Sequence, residues 1–189
     1  MIKKIIAVIC FYPIVVYADS CMKPQDPWLE LTIAIRQGNL PDISCFIKFV
    51  NINGYDSTDI KLNTPLHLAV KYNQINSVKH LVKLGADKES FNLFHETPLY
   101  FSVRKGRDDI AAYLILNGAN IEAKDYSGAS IVYLAVRRNN FSLVNLLLEK
   151  GARTNLQIET SNGKVDFLNY AKIVGDKKII DLIMNKQKR

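Results

Sequence analysis

The stretch Asn63-Thr64-Pro65-Leu66-His67-Leu68-Ala69-Val70, continued by Ile75, Val78, Leu81, Val82 and Gly85-Ala86-Asp87, decides the fold. The Thr64 hydroxyl suits a helix cap, and Pro65 suits the first helical position, where no N–H is needed. Leu66, Ala69 and Val70 fall on one face of a short helix, and Asn73 can take the left-handed conformation that ends it. A second apolar stripe at Ile75, Val78, Leu81 and Val82 marks a second helix, which Gly85 terminates. A single helix–turn–helix unit is too thin to bury its own faces, so it requires copies of itself on either side.

The copies are present. Thr64 to Thr97 and Thr97 to Ser130 are each 33 residues apart, as are Gly85, Gly118 and Gly151. This period, with the pattern Thr64-Pro65-Leu66-His67-Leu68-Ala69, resembles the ankyrin repeat. Thr97-Pro98-Leu99-Tyr100-Phe101-Ser102 keeps the first three positions, and Ser130-Ile131-Val132-Tyr133-Leu134-Ala135 is a weaker copy without proline. Gly85-Ala86-Asp87, Gly118-Ala119-Asn120 and Gly151-Ala152-Arg153 close the units in the family's manner. The expected fold is all-α with short β-hairpin loops, a solenoid of three clear repeats at 59–90, 91–123 and 124–157. Degenerate capping repeats are expected at 29–58 and 158–189. In the first, aligning Gly38 with Gly106 places Leu29 where Thr97 stands, and Trp28 is expected to cover the open edge. In the last, Asp166 takes the threonine position and Gly175 the turn. The hairpin glycine, present as Gly128, is replaced by Leu62 and His95, so those two hairpins are expected to be less regular.

Residues 1–18 have the three parts of a secretory signal: Lys3 and Lys4, an apolar run from Ile5 to Val16 broken by Pro13, and small residues at Val16 and Ala18. The run falls short of the ~20 apolar residues of a membrane span. Cleavage near Ala18 would leave residues 19–28 as a leader ahead of the repeats. The expectation is an exported protein, periplasmic or secreted, with no membrane attachment after cleavage. An uncleaved anchor, giving a membrane-tethered or periplasmic scaffold, is the alternative. Abundant Ile, Lys and Asn suit an A/T-rich genome and a bacterial source. Loss of Cys10 with the signal leaves Cys21 and Cys45, which either pair or remain as two thiols. A bridge across that separation contributes on the order of 3 kcal/mol.

The chain carries 25 Lys and Arg against 18 Asp and Glu, a net charge of +7. This favours acidic partners in general without naming a function. No catalytic or metal set emerges. His67, His80 and His95 match no zinc spacing, there is no C-x-x-C, and no glycine-rich phosphate loop follows a strand. Asp108 and Asp109 sit at a helix start, where the dipole favours them. The resemblance implies that His67 is structural, hydrogen-bonding within and between hairpins. No cofactor is expected, and a small enzyme is the weakest of the readings.

The resemblance also implies that partners meet the hairpin tips and the last exposed positions of each first helix. Counted from Thr64, those helix positions are Lys71 and Tyr72, then Arg104 and Lys105, then Arg137 and Arg138, with Arg36 and Gln37 in the first repeat. Six of the eight are basic, so stacking is expected to give a basic ladder. The tips supply Ile60 and Lys61, Leu93 and Phe94, and Tyr126 and Ser127. Basic rungs beside apolar tips suit another protein with an acidic stripe and a hydrophobic anchor. Nucleic acid is not expected, since no base-reading motif accompanies the charge. The chain is expected to be a monomer.

Overall fold

A computed structural model describes residues 21–160 and 163–187. The signal-sequence reading of residues 1–18 lies outside them. The described chain forms helix pairs joined by hairpin-like loops. The first helices are α1 (Pro27–Gln37), α3 (Pro65–Lys71), α5 (Pro98–Lys105), α7 (Ile131–Arg137) and α9 (Phe167–Val174). The second helices are α2 (Leu40–Phe46), α4 (Ile75–Lys83), α6 (Asp108–Leu116), α8 (Phe141–Glu149) and α10 (Lys177–Gln187). Each first helix packs on the next, as do the second helices, so the pairs stack in chain order.

The caps work as the residue types require. Thr64, Thr97, Ser130 and Asp166 each accept a backbone N–H three residues ahead. Without its proline, α7 still starts in register, because the Ser130 cap is enough. Leu66 and Ala69, Leu99 and Val103, Ile131 and Ala135, and Phe167 and Ala171 run as one buried seam through the row of first helices. A thin unit thereby acquires a core only from its neighbours.

One expectation at the ends needs correction. Helix α1 is capped by Asp26 with Pro27 behind it, so it starts nearly a turn ahead of Leu29, and Leu29 is exposed instead of taking the cap position. An aspartate followed by proline serves the same physics as Thr-Pro and extends this helix relative to its 7- and 8-residue counterparts α3 and α5. Gly175 makes the turn between α9 and α10 as expected, but with φ −91° instead of a left-handed φ; glycine is needed because a Cβ would lie 2.8 Å from the Ala171 carbonyl oxygen. Trp28 is half-buried against the core. The extra residues before α9 form a two-stranded antiparallel hairpin, β1 (Gln157–Thr160) and β2 (Gly163–Asp166). Cys21 and Cys45 are joined by a disulfide, with Cα atoms 5.5 Å apart, which ties the segment ahead of α1 to α2.

Each hairpin turn is held by one side chain. Asp59, Asn92 and Asp125 each accept two backbone N–H groups of their own turn. The residue that then turns the chain back has positive φ in all three: Leu62 at 52°, His95 at 56° and Gly128 at 78°. An L-residue there is strained by about 1–2 kcal/mol. Of these three hairpins, only the Gly128 one carries a β-bridge among the described residues, between Lys124 and Ser130. Leu62→Gly is therefore expected to stabilise the protein by about 0.5–1 kcal/mol, net of the extra entropy of glycine in the unfolded chain. His95→Gly is expected to bring no gain, because the imidazole stacks on Phe91 at 3.9 Å and faces Tyr126 at 5.3 Å. Urea-unfolding midpoints of the two variants check the contrast.

Candidate protein-interaction face

The ends of the first helices form a row on one side of the stack. Helix α3 delivers Lys71, α5 delivers Arg104 and Lys105, and α7 delivers Arg137 and Arg138, all exposed. Arg36 is exposed at the end of α1. These positions project because each helix terminates just behind them. Asn73, Gly106 and Asn139 turn the chain there with φ near 58°, 70° and 53°. At Gly106 the positive φ is what calls for glycine; the only close neighbour of a Cβ there is the movable Arg138 guanidinium.

The six cations are not equivalent. Arg104 is held by Glu96, a carboxylate only 3% exposed: Arg104 Nε pairs with Oε1, and Arg104 Nη2 donates to Oε2 at 2.8 Å. Asn92 adds a hydrogen bond to the same carboxylate at 3.0 Å. The expected rung at Arg104 is thus largely neutralised and belongs to the scaffold. Arg138 lies 3.8 Å from Asp108, a loose surface pair. Arg36, Lys71, Lys105 and Arg137 form no ion pair among the described residues, though the Lys71 charge helps hold the Asp59 carboxyl down; Lys71, Lys105 and Arg137 lie over Tyr72, Phe101 and Tyr133 at 5.3, 5.6 and 5.7 Å. An aromatic face holds a cation weakly and leaves its donors available.

Beside Arg137 the row deepens into a groove of about 460 Å³, lined by Tyr100, Arg104, Tyr133, Arg137, Ile158 and Glu159 among others. Its tyrosines occupy special places. Tyr100 stands in the column of His67 and donates to Asp125 Oδ2 at 2.7 Å. Burial and that hydrogen bond push its hydroxyl well above the ordinary tyrosine range. Hydrogen bonds from Ser127, Tyr100 and the turn backbone hold the Asp125 carboxyl below its usual range, outweighing its partial burial. The Tyr133 and Tyr170 rings lie 4.9 Å apart, and burial together with the Tyr133 hydroxyl raises Tyr170 to about 12. Residues singled out for their column alone could not announce this groove, because the β1–β2 hairpin that forms one wall is an insertion outside the 33-residue period.

At the hairpin tips, Ile60 is 81% and Tyr126 76% exposed, with Leu93 and Phe94 also open to solvent. Lys61 is exposed next to Ile60. Ile173, 71% exposed, and Val174 at the end of α9 add exposed apolar surface to the row of first-helix ends. They occupy the Lys71 and Tyr72 positions counted from Asp166, and applying the same count to the capping repeat would have found them.

The histidines have structural partners. His67 is fully buried; its Nε2–H donates to the Glu96 carbonyl at 2.9 Å, and the Thr64 hydroxyl meets Nδ1 at 2.8 Å. His80 meets Ser44 Oγ on the neighbouring second helix at 2.6 Å. No group of three or more His, Cys, Asp or Glu among the described residues is placed to hold a metal.

A family model for ankyrin repeats (3 copies) matches residues 10–92 and 88–158. The chain belongs to the ankyrin-repeat family. No curated protein matches it. The helix pair α9–α10 lies beyond the matched residues and continues the ankyrin stack as its final layer. Ankyrin repeats are protein–protein interaction modules, which directs attention to the exposed helix ends and tips and away from chemistry.

Proposed function

We propose that this ankyrin-repeat protein is an exported binding module. It captures an acidic partner protein on the basic ends of its first helices and on its apolar hairpin tips, without catalysis. The observation that carries the reading is the set of exposed cations that form no ion pair among the described residues, Lys71, Lys105 and Arg137, set in consecutive repeats. Opposed by carboxylates, they orient and speed encounter more than they bind, and the exposed Ile60, Leu93, Phe94 and Tyr126 supply apolar area. Export is supported by the signal-like residues 1–18 and by the Cys21–Cys45 bridge, which persists in oxidising compartments.

The test is crosslinking in the producing cell, identification of the captured protein by mass, and measurement of its affinity for wild type and for the triple variant Lys71→Glu, Lys105→Glu, Arg137→Glu. The variant is expected to keep its helical circular dichroism and lose about tenfold in affinity, since three exposed charge contacts at about 0.5 kcal/mol each sum to about 1.5 kcal/mol. Arg104 and Arg138 are left intact, because Glu96 and Asp108 already engage them. Unaltered affinity sinks the basic face. A mature N-terminus at Asp19 in the same preparations is the expected mark of export; an intact Met1 contradicts cleavage.

A further inference from the structure

The basic row ends in an apolar rung. Lys71, Arg104 and Arg137 are followed in the same column by Ile173 on α9, with Val174 beside it. Ile173 is 71% exposed. Helices α3, α5, α7 and α9 pack side by side in that order. Packed helices lie about 8–10 Å apart, and an extended chain advances about 3.3 Å per residue. One rung therefore corresponds to about three residues of an extended chain laid across the row.

Resting on the reading above, we infer that the face takes an extended segment of its partner bearing an acidic residue at about every third position and an apolar residue in the next place of the same register. The acidic residues meet Lys71, Lys105 and Arg137, and the apolar one meets Ile173 and Val174. Charge complementarity selects the segment over a neutral one. Arg104 does not compete for the middle acid because Glu96 holds it; Lys105, on the adjacent position of the same helix end, serves that rung. The Tyr133–Tyr170 pair bridges α7 and α9 between the last cation and the apolar rung.

The experiment uses fluorescein-labelled Glu-Gly-Ser-Glu-Gly-Ser-Glu-Gly-Ser-Leu and its reverse-order twin, read by anisotropy against the full protein. The comparison peptides replace Leu by Ser, or gather the three Glu residues together at unchanged composition. In the better chain direction, the Leu peptide is expected to bind about tenfold tighter than the Ser peptide, in line with burial of one aliphatic side chain. That gap is expected to close in Ile173→Ser, whose far-UV circular dichroism is recorded alongside. The clustered isomer is expected to bind several-fold more weakly than the spaced one. Equal binding of the Leu and Ser peptides, a gap that survives Ile173→Ser, or equal binding of clustered and spaced isomers overturns the inference. If every peptide fails while the triple charge reversal still abolishes capture of the cellular partner, the spaced acidic segment is wrong and the basic face stands. If both fail, both readings fall.

Discussion

Replacing Arg104 by alanine is expected to destabilise the protein by about 3 kcal/mol, more than any of the other basic residues on the same face. The reason is Glu96. Its carboxylate is 3% exposed and is held by two contacts from Arg104 and one from Asn92. Removing one partner of a buried ion pair costs about 3–5 kcal/mol, because the remaining charge stays buried without compensation. The lower end applies here, since Arg104 is itself 35% exposed and water reaches the pair from its side. Removing both charges is expected to cost less. The equivalent place in the following repeat is Ala129, so the backbone tolerates a small apolar residue there. The double variant Glu96→Ala with Arg104→Ala is expected to recover at least half of the loss, read as the shift in the urea midpoint of each variant. Lys105→Ala, which leaves no buried charge behind, is expected to change stability by less than about 0.5 kcal/mol. Equal effects of Arg104→Ala and Lys105→Ala would mean that the arginine is a surface residue after all.

The second large effect is a loss of stability in mild acid, set by His67. Burial lowers its pKa to about 4, against the smaller opposing effects of the Glu96 carbonyl and the charges of Glu96 and Asp59. The hydrogen bonds fit the neutral ring: Nε2–H donates to the Glu96 carbonyl, and Nδ1 accepts a hydrogen bond from the Thr64 hydroxyl. The folded pKa lies below the unfolded value of 6.5. Between those two values the unfolded chain binds a proton that the folded chain refuses. Stability is therefore expected to be full above pH 6.5, to fall as the pH drops toward 4, and to lose about 3 kcal/mol from this group. Asp59 and Asp125, both held below their usual range, act at lower pH, where protonation removes their hydrogen-bonded anions. His67→Gln can keep a donor in the site without a titrating ring, and it is expected to flatten the decline between those pH values. Unfolding midpoints across that range check it; a wild-type curve level down to pH 4 contradicts the assignment.

Much of this molecule is legible in its residues. The spacing of Thr64, Thr97 and Ser130, with Gly85, Gly118 and Gly151, determines the register, the helix pairs and the column in which Lys71 and its counterparts stand. Those features are local: a hydroxyl capping an N-terminus, a left-handed residue ending a helix, an apolar stripe at helical spacing. They repeat because every layer meets the same neighbour. The solenoid follows from the sequence for that reason, and so does the side of each helix that faces water.

What the tertiary structure decided is which of the columned residues are free. Six basic side chains look alike in sequence, yet Arg104 is bound to a buried acid and Arg138 leans toward Asp108, while Arg36, Lys71, Lys105 and Arg137 form no ion pair among the described residues. The acid that makes the difference sits at a position filled by Asn63 and Ala129 in the adjoining repeats, so the period carries no sign of it. The same holds for the ends of the array. Asp26 and Pro27 start α1 ahead of the repeat count, Cys21 reaches Cys45, and the β1–β2 hairpin forms one wall of the groove beside Arg137. Periodicity specifies what each layer shares with the next. Charge pairing, the disulfide and the insertion depend on contacts that occur once, and only the folded stack brings their partners together.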